Sequence, residues 1–250
     1  MRFWERFMEK IREVASSRGY TCDGCGAEIF HYPVQRLCKD CENDMRRPSK
    51  NVCEKCGRQT ISEGICLDCK RVLPKFSKGI SPFVYRGRTA SLVNQIKNGK
   101  RRLAYYFGTE MTNAFLRVNG LEKDTPLLVV PVPLTERKKK ERGYNQAETL
   151  ARVVTENLRR KGIQAELDTK LLIKTRETAQ QKHLGFVSRA ENVAGVFHVH
   201  KRTACREKTI LLVDDIMTTG ATGSECATRL YGAGAKEVLF LVAAALPERK

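Results

Sequence analysis

Eight of the ten cysteines fall in one short stretch as four Cys-x-x-Cys pairs, Cys22/Cys25, Cys38/Cys41, Cys53/Cys56 and Cys66/Cys69. Two residues between thiolates let one tight turn present both sulfurs to a tetrahedral ion, so the pairs read as zinc ligands. A redox Cys-x-x-Cys would stand singly beside a βαβ unit, not four times in tandem. Eight ligands serve two ions, either in sequential order or in an interleaved cross-brace, and the spacing fits both. Four thiolates close the coordination shell, so the expected zinc is structural. The segment has few large apolar residues, and metal binding would supply much of its folding energy.

A second chemical signal lies near the other end. The aliphatic run Ile210 to Val213 leads into Asp214 and Asp215, then into Thr218, Thr219, Gly220, Ala221 and Thr222. Two carboxylates at a strand's carboxyl end can accept from vicinal ribose hydroxyls and help hold Mg²⁺. A hydroxyl-rich loop that opens a helix makes a cup of N–H groups where the dipole favours phosphate. A Walker B strand would need a G-x-x-x-x-G-K-[ST] loop upstream; Gly99-Lys100 is followed by Arg101, and no such loop exists.

These residues need a scaffold, and the apolar pattern supplies one. Leu127 to Val132, Ile210 to Val213 and Val238 to Ala245 are short aliphatic runs, read as buried parallel strands. Gln146 to Arg160 repeats Ala147, Leu150, Ala151, Val154 and Leu158 on one helical face. Thr222 to Leu230 reads as a helix, with Thr222 and Glu225 spaced as a capping box. Alternating strands and helices predict an α/β fold, a mostly parallel sheet with helices on both faces. The expected domains are an amphipathic helix over 1–20 (Phe3, Trp4, Phe7, Met8, Ile11, Val14), a cysteine module over 21–73, and the α/β body over 74–250.

The composition bounds the rest. A hydrophobic fraction of 41% is ample for a core and excludes global disorder. The longest apolar run, Val238 to Leu246, is far short of a membrane span. Glu5, Arg6, Glu9 and Lys10 interrupt any leader-like apolar run, so a cytoplasmic location is expected. Lys and Arg total 46 against 28 acids, a formal charge of +18, which is a nucleic-acid footprint. Lys97, Lys100, Arg101 and Arg102 form one cluster and Arg137 to Arg142 another, with Lys138 to Lys140 read as a solvated run. Tyr105, Tyr106 and Phe107 either stack single-stranded bases or pack a core helix, and the helix is the expectation.

The strand, acid pair and Thr/Gly loop together resemble the phosphoribosyl-pyrophosphate (PRPP) motif of type I phosphoribosyltransferases. Val130-Pro-Val-Pro133 followed by Arg142-Gly-Tyr-Asn-Gln146 is similar to the signature of the ComF family, with Tyr144 where that family has Phe. Arg176, Thr178, Gln181 and Leu184, then Arg189, Asn192, Val193, Gly195 and Phe197, match its later motifs, and Tyr85, Gly87 and Lys97 its earlier ones. The resemblance covers nearly the whole chain. It implies a phosphoribosyltransferase-like (type I) fold behind a zinc-ribbon module, and a PRPP site at Asp214, Asp215, Thr218, Thr219, Gly220, Ala221 and Thr222. It further implies Arg142 as the pyrophosphate cation, with Arg176 and Arg189 in a closing catalytic loop. Mg²⁺ would accompany PRPP. By analogy the protein handles incoming single-stranded DNA in natural transformation, with a competence helicase or translocase as a further partner. The alternative is an active transferase that moves ribose 5-phosphate from PRPP to a nitrogen acceptor and releases pyrophosphate. Any hood over that acceptor would come from residues 74 to 120 or from the cysteine module.

Overall fold

The computed structural model describes residues 21–31, 33, 35–118, 126–177, 195–200 and 202–248. The expected helix over 1–20, Arg189, and most of the Arg176-to-Asn192 motif lie outside these residues. The chain forms two compact units, Met1–Asp44 and Met45–Lys250. In the first unit the described residues hold Cys22, Cys25, Cys38 and Cys41, an isolated bridge between Thr21 and Glu28, and a one-turn helix α1 (Lys39–Asn43).

The second unit begins with the other four cysteines and helix α2 (Leu67–Arg71). It continues through β1 (Lys78–Ile80), β2 (Phe83–Val84), α3 (Gly87–Lys97) and α4 (Leu103–Val118). Next come β3 (Leu127–Pro131), α5 (Glu136–Arg142), α6 (Gln146–Arg160) and β4 (Ala165–Leu167). The small antiparallel pair β5 (Leu172–Lys174) and β6 (Phe197–Val199) precedes β7 (Thr209–Met217), α7 (Ala221–Gly232) and β8 (Glu237–Ala245). The main sheet is parallel throughout, in the order β1-β8-β7-β3-β4, with β2 pairing β8 beyond β1.

The aliphatic runs do not alternate with polar residues because both sheet faces are covered. Leu128, Val130, Ile210, Leu212, Val238 and Phe240 point to one face, where they share a core with Cys226, Ala227 and Leu230 of α7. Their odd-numbered neighbours, including Val129, Leu211 and Leu241, are buried on the other side, where α4 and α6 pack. These helices approach closely, since a Cβ on Gly108 of α4 would meet Val153 of α6 at 2.6 Å. Phe107 is buried, and Tyr106 stacks on Phe83, so the expected core helix is right for both; Tyr105 is turned outward.

The Cys53 knuckle is joined closely to the sheet edge. The Gly79 N–H of β1 donates to the Lys55 carbonyl at 2.8 Å, and Lys55 Nζ donates to the Ser77 carbonyl at 3.1 Å. A Cβ on Gly57 would stand 2.3 Å from the Gly79 oxygen, and one on Gly79 would stand 2.4 Å from the Cys56 oxygen. Neither carbonyl can retreat without leaving the knuckle or the strand. Gly79→Ala is therefore expected to cost about 3 kcal/mol or more, read as a fall in Tm. Gly232→Ala at the end of α7 meets nothing within 4 Å and is expected to be neutral or slightly stabilising.

Candidate functional site

The sheet order reverses between β3 and β7. From β3 the chain proceeds through α6 to β4 on one side, and from β7 through α7 to β8 on the other. Such a switch point leaves a crevice beyond the carboxyl ends of the two strands. Its origin is visible in the register. Pro131 pairs with Val213, the Val132 N–H still donates to the Val213 carbonyl, and there β3 ends. β7 continues to Met217 against β8 alone. Asp214 and Asp215 thus lie within the strand rather than after it, with one flank open on a cavity of about 1020 Å³.

Asp215 is buried and pairs with Lys97 of α3, Nζ to Oδ2, at 2.9 Å. Burial alone would depress the Lys97 ammonium, but the Asp215 carboxylate, with Asp214 beyond it, holds its pKa above the ordinary lysine value. Asp214 lies at the cavity floor, where its Oδ1 accepts from the Asp215 N–H at 2.8 Å. Burial, then the neighbouring Asp215 charge, pushes the Asp214 carboxyl well above the usual carboxylate range. Both acids line the cavity, but they are unequal: Asp215 is paired with a resident lysine and Asp214 is not.

Lys97 is placed by Tyr144. That hydroxyl donates to the Ile96 carbonyl and accepts from the Gly99 N–H, bracketing the end of α3, while Arg101 lies over the ring with its Cζ 4.2 Å from the centroid. Gly143, at φ 78°, ends α5 and makes the turn that delivers Tyr144. Asn145 next donates to the Val132 carbonyl at 2.9 Å and caps α6 through the Ala147 N–H. The Arg-Gly-Tyr-Asn motif is thus largely a clamp on the cavity wall.

Cations line a further wall of the cavity. Arg142 is among them, donating to Gln146 Oε1 at 2.5 Å. Lys138, read as solvated, also lines the cavity and pairs with Glu177 at 3.1 Å, while Lys139 and Lys140 are exposed. The correction follows from α5 being a short helix capped by Thr135, which turns Lys138 and Arg142 to the same face at i, i+4. Glu177, held low by the Thr135 hydroxyl and then by Lys138, fixes that face. Lys174 of β5 is a cation the sequence did not mark; burial, then the Lys138 ammonium, lowers its pKa. Arg176 is exposed and does not line the cavity.

On the opposite wall, Thr218, Gly220, Ala221 and Thr222 line the cavity at the start of the 12-residue helix α7. Thr219 does not; its hydroxyl accepts from the Ala221 N–H at 3.3 Å. The expected capping box is replaced by Gly220, at φ 82°, as a cap without a side-chain bond. Glu225 instead accepts from the Gly195 N–H and Arg229. The Ala221 amide is thus held by Thr219, while the cap residue itself offers no side chain to the helix start, beside a wall where the dipole favours an anion.

The cysteines separate into sequential groups, Cys22, Cys25, Cys38 and Cys41, and Cys53, Cys56, Cys66 and Cys69, each with its sulfurs within 4.8 Å of one another. The cross-brace is excluded. Sulfur pairs 3.6 Å (Cys25, Cys38) and 3.7 Å (Cys56, Cys66) apart fit a tetrahedron with ~2.3 Å Zn–S bonds, whose edge is about 3.8 Å. Backbone N–H groups of Cys38 and Cys66 donate to Cys22 Sγ and Cys53 Sγ at 3.2 and 3.3 Å, which favours thiolates. Both groups could hold zinc. The second belongs to the larger unit, where its four sulfurs join the core beside Phe76.

No family model matches the chain. Similar proteins are the DNA utilization protein YhgH of Escherichia coli, 28% identical over 208 residues (81% of this chain, 87% of the relative), and competence protein ComFC of Bacillus subtilis, 23% identical over 197 residues (76% and 75%). Competence protein F of Haemophilus influenzae is 23% identical over 228 residues (88% and 94%). Among solved structures, hypoxanthine-guanine phosphoribosyl transferase of L. donovani matches 62% of this chain and 67% of that chain, with 11% identity and a TM-score of 0.32. An allosteric regulatory enzyme of purine biosynthesis matches 56% and 25%, with 18% identity and a TM-score of 0.33. Scores that low add nothing to the topology described above. Among the described residues no helix is long and apolar enough to cross a membrane. The chain, with its two cysteine groups and its parallel sheet, is thus similar over most of its length to competence proteins and to a DNA utilization protein.

Proposed function

We propose that the protein binds PRPP at the β3–β7 switch point and acts in handling incoming single-stranded DNA during natural transformation. One observation carries the ligand: an acid pair, a helix N-terminus and the cations Lys138, Arg142 and Lys174 surround a single cavity. Asp214 accepts the ribose hydroxyls, because Asp215 is engaged by Lys97. The 5-phosphate rests on the amides at the start of α7, and the pyrophosphate on Lys138, Arg142 and Lys174. By the resemblance, Arg176 and Arg189 would act from a loop closing over the bound ligand. Mg²⁺ held with the pyrophosphate would supply further charge neutralisation, with Asp214 as its nearest protein carboxylate.

The names of the relatives, with their competence and DNA utilization, support the wider role. So does the basic surface, in which Arg137, Lys139 and Lys140 are turned to solvent on α5. Calorimetric titration of Mg²⁺-PRPP into zinc-loaded protein is expected to give saturable one-site heat, and the absence of heat would overturn the ligand. Single-stranded DNA affinity is expected to fall at least about tenfold between 50 and 200 mM salt. A flat salt response would remove the DNA role.

A second reading, turnover of PRPP, is favoured by the remaining wall. Tyr85, Asn94 and Asn98 line the cavity from the 74–120 segment, with the Tyr85 hydroxyl donating to Asn94 Oδ1 at 3.1 Å. This is the place a hood over a nitrogen acceptor would occupy. Pyrophosphate release that depends on an added acceptor would establish it.

A further inference from the structure

The geometry points to Arg58 as a positioning residue that makes the ligand affinity of the α7 loop depend on metal at the Cys53, Cys56, Cys66 and Cys69 group. The inference deepens, and rests on, the PRPP reading of that loop.

Arg58 is an arginine with only 2% of its side chain exposed. It follows the Cys53–Cys56 knuckle after one residue, Gly57, and its own carbonyl accepts from the Cys53 N–H at 2.8 Å. Its guanidinium reaches three partners of different chemistry. Nε donates to Cys56 Sγ at 3.3 Å, Nη1 to Asp68 Oδ2 at 2.5 Å, and Nη2 to the Thr218 carbonyl at 2.8 Å. Asp68 lies on α2 between Cys66 and Cys69, so the fork is held by both halves of the cysteine group. Its third arm ends on the first residue after β7, inside the loop that lines the cavity.

That bond sets the orientation of a peptide plane. A trans peptide places its N–H opposite its C=O, so holding the Thr218 oxygen on Arg58 directs the Thr219 N–H away from Arg58. The residue before is held as well. The Met217 carbonyl accepts from the Leu246 N–H at 2.9 Å, and the chain then runs to Glu248. Glu248 accepts from the Ile61 and Leu67 N–H groups at 3.0 and 2.6 Å, while its N–H donates to the Gln59 carbonyl at 2.9 Å. The loop is thus fastened at consecutive carbonyls to a framework whose order depends on the cysteines. When the ion leaves, four buried thiols need no common centre, and the plane in which Arg58 is fixed is lost.

The test uses the full chain with zinc content measured in every sample. Arg58→Lys keeps a cation beside Cys56 but cannot span three partners, and Arg58→Ala removes the fork. Expected in Arg58→Lys, at unchanged zinc content, are about tenfold weaker Mg²⁺-PRPP binding and faster amide exchange over residues 217–223, with exchange in α4 and α6 unchanged. Cys66→Ser is expected to loosen the loop on top of a general loss of stability, and Cys25→Ser to leave the loop as it was. Uniform acceleration across α4, α6 and the loop would make Arg58 a residue of general stability and overturn the inference. Unchanged loop exchange and unchanged affinity in Arg58→Lys would do the same. If wild-type protein gives no heat with PRPP while the loop still answers to Arg58, the ligand reading falls and the coupling stands.

Discussion

Asp214→Asn is expected to raise the Tm at neutral pH while abolishing PRPP binding, whereas Asp215→Asn is expected to lower the Tm. The two residues are adjacent, so opposite signs would be a stringent result. Asp214 carries a raised pKa from burial and from the Asp215 charge. For a carboxyl whose folded pKa is raised, the favourable contribution is complete below the unfolded value near 4 and is lost as pH climbs through the folded value. At neutral pH the wild type therefore bears an uncompensated cost that Asn does not have. The amide oxygen of Asn can still accept from the residue 215 N–H, so the local geometry is kept. A scan of Tm against pH should show wild-type stability declining upward from pH 4, with that component missing in Asp214→Asn. The same substitution removes the acceptor for ribose hydroxyls, and PRPP affinity should fall roughly a hundredfold or more. Asp215→Asn instead leaves the Lys97 ammonium without its partner in a site where that side chain is 28% exposed. The expected loss is about 2–3 kcal/mol, below the full cost of a broken buried pair because Lys97 can still reach water. Equal effects from both substitutions would contradict the division of roles between the acids.

Cys66→Ser and Cys25→Ser are expected to differ even more. Each should remove one zinc from a stoichiometry of two, measured by atomic emission. Cys66 belongs to the buried group that shares a core with Phe76, Val130 and Phe240. Zinc at such a site carries on the order of 10 kcal/mol of folding energy, and losing half of that moves the Tm of a domain this size by roughly 10–20 °C. Cys25 is exposed and lies in the unit that ends at Asp44. Its loss is expected to leave the main calorimetric transition within about 2 °C. A main transition that collapses in Cys25→Ser would refute this.

The contrast also marks what the sequence could tell. Aliphatic runs are local signals, so β3, β8 and α6 stand within a residue or two of where periodicity puts them. β7 runs four residues further than its aliphatic run because β8 still pairs with it after β3 has left. No local pattern records that. The acid pair and hydroxyl loop were legible because they are contiguous. Lys97 on Asp215 and Lys174 across the cavity were not, since each contact closes over a long stretch of chain and leaves no spacing to read. The capping box failed for a similar reason: Thr222 and Glu225 have the right separation, yet Gly220 took the cap in a conformation other residues avoid. The four Cys-x-x-Cys pairs announced metal, but their division between two units depends on packing along β1.

The sheet order carries a consequence for how the chain comes to be folded. β8, the last strand of the sequence described, sits between β1 and β7, so β1 has no neighbour in the sheet until residues 237–245 exist. During synthesis β1 and β2 must wait with open edges while β3, β4 and β7 can already pair, and contacts so distant in sequence fold slowly and invite aggregation. The knuckles can seize zinc at once, since their ligands are near neighbours. Metal supply early in translation, and chaperone occupancy late in it, should then set how much protein a cell recovers, more than any change in the finished fold's stability.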